Sequence, residues 1–183
     1  MDKSTVFSEF FLNKLGIKPS GADATTLIDC VGSLKEEMET KTITKKCRGR
    51  VKKSRTKPDS GTVTITAHMP YALLLDVYNE QEFATGVYGY GTDSLHKECV
   101  LTAEVLDEDD NVQYRAYPCA VATSVSVEID DDNEEVPMVE LAFDVTADDN
   151  EIIRYKALAD EIDTAVADDW MSNRSADLIA ATV

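Results

Sequence analysis

Gly61-Thr62-Val63-Thr64-Ile65-Thr66-Ala67-His68 is the most regular stretch of the chain. Threonine alternates with Val, Ile and Ala, so a strand here carries one apolar face and one hydroxyl face. A sheet with one side on a core and the other in water has this pattern. Asp59-Ser60-Gly61 ahead of it predicts a turn. Pro70 behind it suits the first turn of a short helix over 71–78. Tyr71, Leu74, Leu75 and Tyr78 would share one side of that helix, at i, i+3, i+4 and i+7.

Working toward the C-terminus, Glu98 to Leu106 reads as a strand and Val112 to Tyr117 as its hairpin partner across the acidic turn 107–111. Ala120 to Ile129 is a further strand, 130–135 a second acidic loop, and Val136 to Val145 a returning strand. A short strand over Ile152 to Tyr155 follows, and Ala157 to Trp170 suits a helix or an extended tail. Toward the N-terminus, Thr26 to Val31 reads as a strand, Gly32-Ser33 as a turn, and Thr40 to Thr44 as the start of another strand. Phe7, Phe10, Phe11 and Leu15 stand near helical spacing, which fits a short helix or a terminal segment lying on a neighbour. About seven strands and one or two short helices predict a mainly β chain, a β-sandwich or barrel with helical additions.

A single domain over 1–183 accommodates all of this, since a chain of this size buries roughly 70% of its unfolded surface. With 43% hydrophobic and 29% charged residues the composition is that of a globular protein. The N-terminal residues lack the order of a secretory signal and no apolar run is long enough to span a bilayer, so no membrane role is expected.

Charge separates this chain from the average. It carries 18 cations and 35 acids, a net −17. Nine of the cations, Lys41, Lys45, Lys46, Arg48, Arg50, Lys52, Lys53, Arg55 and Lys57, fall in one stretch that holds no acid. The rest of the chain stands at −26. Such an acidic body argues against general nucleic-acid binding. The basic stretch itself has three readings: a nucleic-acid arm, a solvated loop, or an arm that docks on an anionic surface of another copy. The third accounts for both extremes of charge at once, and a head-to-tail contact of that kind builds rings or filaments.

No catalytic, cofactor-binding or metal site is expected. His68 and His96 stand apart and form no HxH or HExxH spacing. Cys30, Cys47, Cys99 and Cys119 include no CxxC pair and read as free thiols. The 130–135 loop lacks the glycine and the closing glutamate of an EF-hand. Gly86, Gly89 and Gly91 lie in an aromatic stretch without the Lys-Ser or Lys-Thr of a phosphate loop, and a turn with aromatic packing is the plainer reading.

The order of these pieces resembles the major tail, or tail tube, proteins of long-tailed bacteriophages of Gram-positive bacteria. Three places carry the resemblance. Gly61 to His68 followed by Pro70-Tyr71-Ala72-Leu73-Leu74 is similar to that family's strand and short helix. Leu101 to Asp109 with Tyr117-Pro118-Cys119 is similar to its central hairpin, and Asp168-Asp169-Trp170-Met171 to its closing segment. The resemblance implies a sandwich or barrel-like tail tube fold, hexameric rings stacked into a tube, passage of DNA without specific binding, and no enzymatic activity. It implies a virion tail location with assembly in the host cytoplasm, and a tape-measure protein and tail-end proteins as partners besides the chain itself. The related tubes of contractile phages, type VI secretion systems and phage-tail-like bacteriocins share that fold, and nothing in the sequence excludes such a device in place of a virion.

The resemblance also assigns roles to segments. A long basic loop over 45–60 would reach the adjacent ring, and the terminal segments 1–21 and 157–183 would order on assembly. Lys45, Lys46, Arg48, Arg50, Lys52, Lys53 and Arg55 are then the expected inter-ring contacts. Asp107, Glu108, Asp109 and Asp110, or Asp130, Asp131, Asp132, Glu134 and Glu135, are their expected acidic partners or the lining of the lumen. Six copies at −17 place −102 on a ring, which suits a wall that DNA slides past. The alternative is a nucleic-acid-binding accessory protein that uses the 41–57 arm.

Overall fold

In the computed structural model, which describes residues 7–126 and 136–172, the Thr62–Ala67 alternation sorts as its pattern requires. Val63, Ile65 and Ala67 have no exposure, while Thr62, Thr64 and Thr66 face the solvent side. They belong to β4 (Arg50–Ala67), which pairs antiparallel with β3 (Val31–Cys47) on one flank and β9 (Val139–Thr146) on the other. The other strands are β1 (Phe11–Pro19), β2 (Thr26–Ile28), β5 (Gln81–Ala84), β6 (Val87–Gly89), β7 (Glu98–Leu106), β8 (Val112–Ser126) and β10 (Tyr155–Leu158). The main sheet runs β2-β1-β7-β8-β9-β4-β3, with β10 added on β8. It is mainly β and antiparallel throughout, and it does not close, leaving β2 and β3 as edges.

Its inner face holds the core. Leu15 and Ile17 from β1, Leu101 from β7, Tyr117 from β8 and Leu141 and Phe143 from β9 are all fully buried or nearly so. Helix α1 (Tyr71–Val77) adds Leu73 and Val77 to this core. A second, smaller cluster forms where α2 (Thr164–Trp170) brings Trp170 and Met171 against Ala116. Asp163 caps α2, its carboxylate accepting from the Ala165 N–H at 2.9 Å.

Several expectations are corrected. Phe11–Pro19 is a strand rather than a helix, held between β2 and β7, because Leu15 and Ile17 alternate about Gly16 and both reach the core. This part of the 1–21 segment is therefore built into the sheet of the single chain. Gly32-Ser33 and Asp59-Ser60-Gly61 are not turns but irregularities inside β3 and β4. Val112–Tyr117 and Ala120–Ser126 are one strand, since two residues, Pro118 and Cys119, bulge opposite Val100 and leave proline where no ladder N–H is needed. The last strand begins at Tyr155, not Ile152. The helix buries Leu73 and Val77, with Tyr78 just beyond, and leaves Tyr71 66% exposed. Residues 71–75 are all apolar, so periodicity over seven residues did not distinguish two adjacent stripes.

Candidate functional site

The basic stretch forms a two-stranded ribbon, not a loop. β9 accompanies β4 only from Gly61 onward, so the distal halves of β3 and β4 pair with each other alone. Arg48 and Gly49 reverse the chain, at φ 51° and 74°. Two left-handed residues in a row suit the right-handed twist of a hairpin, and glycine adopts that conformation without strain. At about 3.3 Å per residue, the eight residues Thr40 to Cys47 carry the tip roughly 25 Å from the sheet.

Register decides what the ribbon presents. Lys41 stands opposite Lys57, Ile43 opposite Arg55 and Lys45 opposite Lys53. Directly opposed residues share a face. One face therefore carries Lys41, Lys45, Lys53, Arg55 and Lys57 around a single apolar side chain, Ile43. The other carries Thr42, Thr44, Ser54 and Thr56, with the Thr42 and Thr56 hydroxyls 3.0 Å apart. Like charges opposite each other destabilise a ladder. None of the nine cations forms an ion pair with a described residue. Beyond the bulge at Lys45/Lys46, Lys46 opposes Val51 and Cys47 opposes Arg50, placing Arg48, Arg50 and Lys52 around the tip.

The proposed acidic counterparts divide. Glu108, Asp109 and Asp110 are exposed. Asp107 is buried, and its carboxylate accepts from the Asp109 N–H, the Asn111 N–H and Asn111 Nδ2 at 2.9, 2.8 and 2.8 Å. Burial opposes its ionisation, but the bonds from Asn111 and Asp109 outweigh that and hold its carboxyl below the usual range. Asp107 thus closes its own turn. Asp130, Asp131, Asp132, Glu134 and Glu135 lie outside the described residues.

The alternation in the strands gives a further acidic surface. Glu37, Thr62, Asp144, Val121 and Glu98 stand side by side across β3, β4, β9, β8 and β7 on the face away from the core. This row is exposed apart from half-buried Thr62, and carries three carboxylates. The spacing of Thr62, Thr64 and Thr66 pointed to a wet face, but only the pairing shows which acids join it.

A six-residue polar cluster was invisible in sequence because its members come from distant segments. Glu36 on β3 accepts from the Tyr117 hydroxyl at 2.5 Å and takes Arg154 on its other oxygen, with Arg115 at 3.5 Å. Arg115 also pairs with Glu9, and Lys156 reaches Glu9 at 3.3 Å. Burial, then the charges of Arg115 and Arg154, push Lys156 down to about 8 despite that contact. The cluster ties the start of the described chain and β10 to the sheet.

His96 is half-buried, its Nε2 2.6 Å from the Tyr90 hydroxyl and its Nδ1 2.5 Å from the Ala122 carbonyl; His68 is exposed. Among the described residues no group of three His, Cys, Asp or Glu is placed to hold a metal ion, and no helix is long and apolar enough to cross a membrane. The cysteines differ sharply. Cys30 and Cys47 are exposed, while Cys99 is fully buried and its thiol is pushed up to about 12 by burial, then by Asp76 and Glu98. Burial also raises Cys119. A disulfide-exchange dye at pH 8 is expected to titrate Cys30 and Cys47 quickly, Cys119 slowly, and Cys99 only after unfolding. Rapid loss of all four thiols in the native chain would contradict this burial.

No known family model matches the sequence, and no curated protein matches it. Similar chains occur among solved structures. One, in the cryo-EM structure of the anti-feeding prophage cap, where the tube terminates, is 9% identical, with 86% of this chain and 97% of that chain covered at a TM-score of 0.49. One in the six-fold symmetrised baseplate of the same prophage is 10% identical, with the same coverage, at 0.46. Hcp1 from Flavobacterium johnsoniae is 14% identical over 73% of this chain and 89% of that chain, at 0.37.

Proposed function

We propose that this chain is a structural, non-enzymatic tail tube protein that self-assembles into stacked hexameric rings around a channel for DNA. The observation that carries this reading is the ribbon: a segregated cation face, unpaired among the described residues, projecting from a body of opposite charge. Such a contact is heterologous, since ribbon meets body and not ribbon, and repeats without closing on itself along one axis. The row Glu37, Thr62, Asp144, Val121 and Glu98 suits the lumen wall. Carboxylates and hydroxyls there would repel phosphates and leave DNA in its shell of water and counterions. A virion tail location, assembly in the host cytoplasm, and tape-measure and tail-end partners belong to the same reading.

A second reading has an observation of its own. A two-stranded ribbon fits the major groove of DNA, and this one carries five of its nine cations on one face. Two measurements separate the readings. The tube protein is expected to give rings or hollow tubes by negative-stain electron microscopy after concentration, with little affinity for duplex DNA at any salt. A field of monomers together with DNA affinity that falls steeply with salt would overturn the tube in favour of the accessory binder.

A further inference from the structure

We propose that the cation face of the β3–β4 ribbon seats on the β5–β6 hairpin of a second copy of this chain; the proposal rests on the self-assembly reading above. The two elements have opposite compositions. The ribbon holds nine cations and no acid between Lys41 and Lys57. Residues 71–96 hold Asp76, Glu80, Glu82 and Asp93 and no Lys or Arg. Asp76 is taken by Lys97 of its own chain, while Glu82 and Asp93 are exposed and Glu80 half-buried.

The hairpin also presents rings. β5 and β6 pair only with each other, off the main sheet. Phe83 is 79% exposed, Tyr90 61% and Leu95 78%. Phe83 lies over Gly89, close enough that a Cβ there would come within 2.6 Å of its ring. The Glu82 carboxylate is fixed on the same hairpin, accepting from the Gly86 N–H at 2.9 Å. Aromatic faces next to carboxylates attract Lys and Arg by both cation–π and ionic terms. The ribbon brings Lys53 and Arg55 to such a surface together with exposed Ile43, which needs an apolar seat. The exposed acids of the 108–110 turn, with exposed Phe10 and Phe11 paired beside Leu106 at its base, are the rival seat, and the Glu82, Asp93 and Phe83 variants distinguish the two. Docking would also relieve the Lys41–Lys57 and Lys45–Lys53 repulsion that the isolated chain leaves standing.

Charge exchange in the full chain tests this, with assembly followed by light scattering and folding checked by thermal melts. Lys53→Glu/Arg55→Glu and, separately, Glu82→Lys/Asp93→Lys are each expected to slow assembly ~tenfold or more with unchanged melts. Phe83→Ser is expected to weaken it as well. Combining the four charge changes in one chain is expected to restore most of the wild-type rate. If the ribbon variant fails to assemble while the Glu82/Asp93 and Phe83 variants match wild type, the hairpin is not the seat, although self-assembly through the ribbon stands. If the wild-type chain does not associate at any concentration, the self-assembly reading falls, and this proposal with it.

Discussion

Replacing Glu36 by leucine is expected to destabilise the folded chain by about 3–5 kcal/mol. The side chain of Glu36 is only 12% exposed, and that of Arg115 beside it 6%. Its carboxylate is the shared acceptor for Tyr117, Arg154 and Arg115. Without it, Arg154 loses its carboxylate partner, and Arg115 and Lys156 are left to share Glu9. An unpaired buried charge costs more than the intact pair contributed, so the loss exceeds the worth of any one contact. Glu36→Gln keeps an acceptor for Tyr117 but not the charge, and is expected to fall between leucine and wild type. Urea unfolding followed by Trp170 fluorescence reads both variants, since Trp170 is buried and its Nε1–H donates to the Arg115 carbonyl at 3.1 Å. A loss under about 1 kcal/mol for the leucine variant would show that the cluster is solvated and loosely held.

Phe143→Ala is expected to cost a similar amount, about 3–5 kcal/mol, for a different reason. Phe143 has no exposure and sits in β9 opposite Val63 of β4 and Ala122 of β8. Both neighbours are smaller, and strands paired on both sides cannot collapse into the space a lost ring leaves. With a urea slope near ~2 kcal/mol/M the midpoint should fall by roughly 2 M. Glu140→Ala, three residues earlier on the exposed face of the same strand, is expected to stay within about 0.5 kcal/mol. Equal effects at the two positions would mean that the sheet buries both faces in the isolated chain.

Strand content was legible because alternation is a local property. Thr62 to Ala67 and Glu98 to Leu106 could be read directly, and their core residues follow from period two alone. Short apolar runs were not legible in the same way. Phe11–Pro19 and the helix at 71–77 each admit two patterns, and packing chose between them. The basic stretch was visible as charge but not as shape. Lys41 to Lys57 contains Pro nearby and few apolar residues, so nothing local separates a loop from a ribbon that is held by its backbone ladder. The Glu36 cluster left no signal at all, because Glu9, Glu36, Arg115 and Arg154 are far apart in the chain and meet only through the sheet order.

Composition and alternation alone determined a mainly β chain, the charge split of +9 against −26, and the one stretch in which nine of the cations are gathered. The tertiary structure decided the facing. Pairing register put Lys41, Lys45, Lys53, Arg55 and Lys57 on one side of the ribbon, buried Asp107 in its own turn, and lined up Glu37, Asp144 and Glu98 across four pairings. Charge is a sum over residues and survives any fold, whereas a face exists only once distant strands are set side by side, and a shift of one residue would turn each side chain to the other surface.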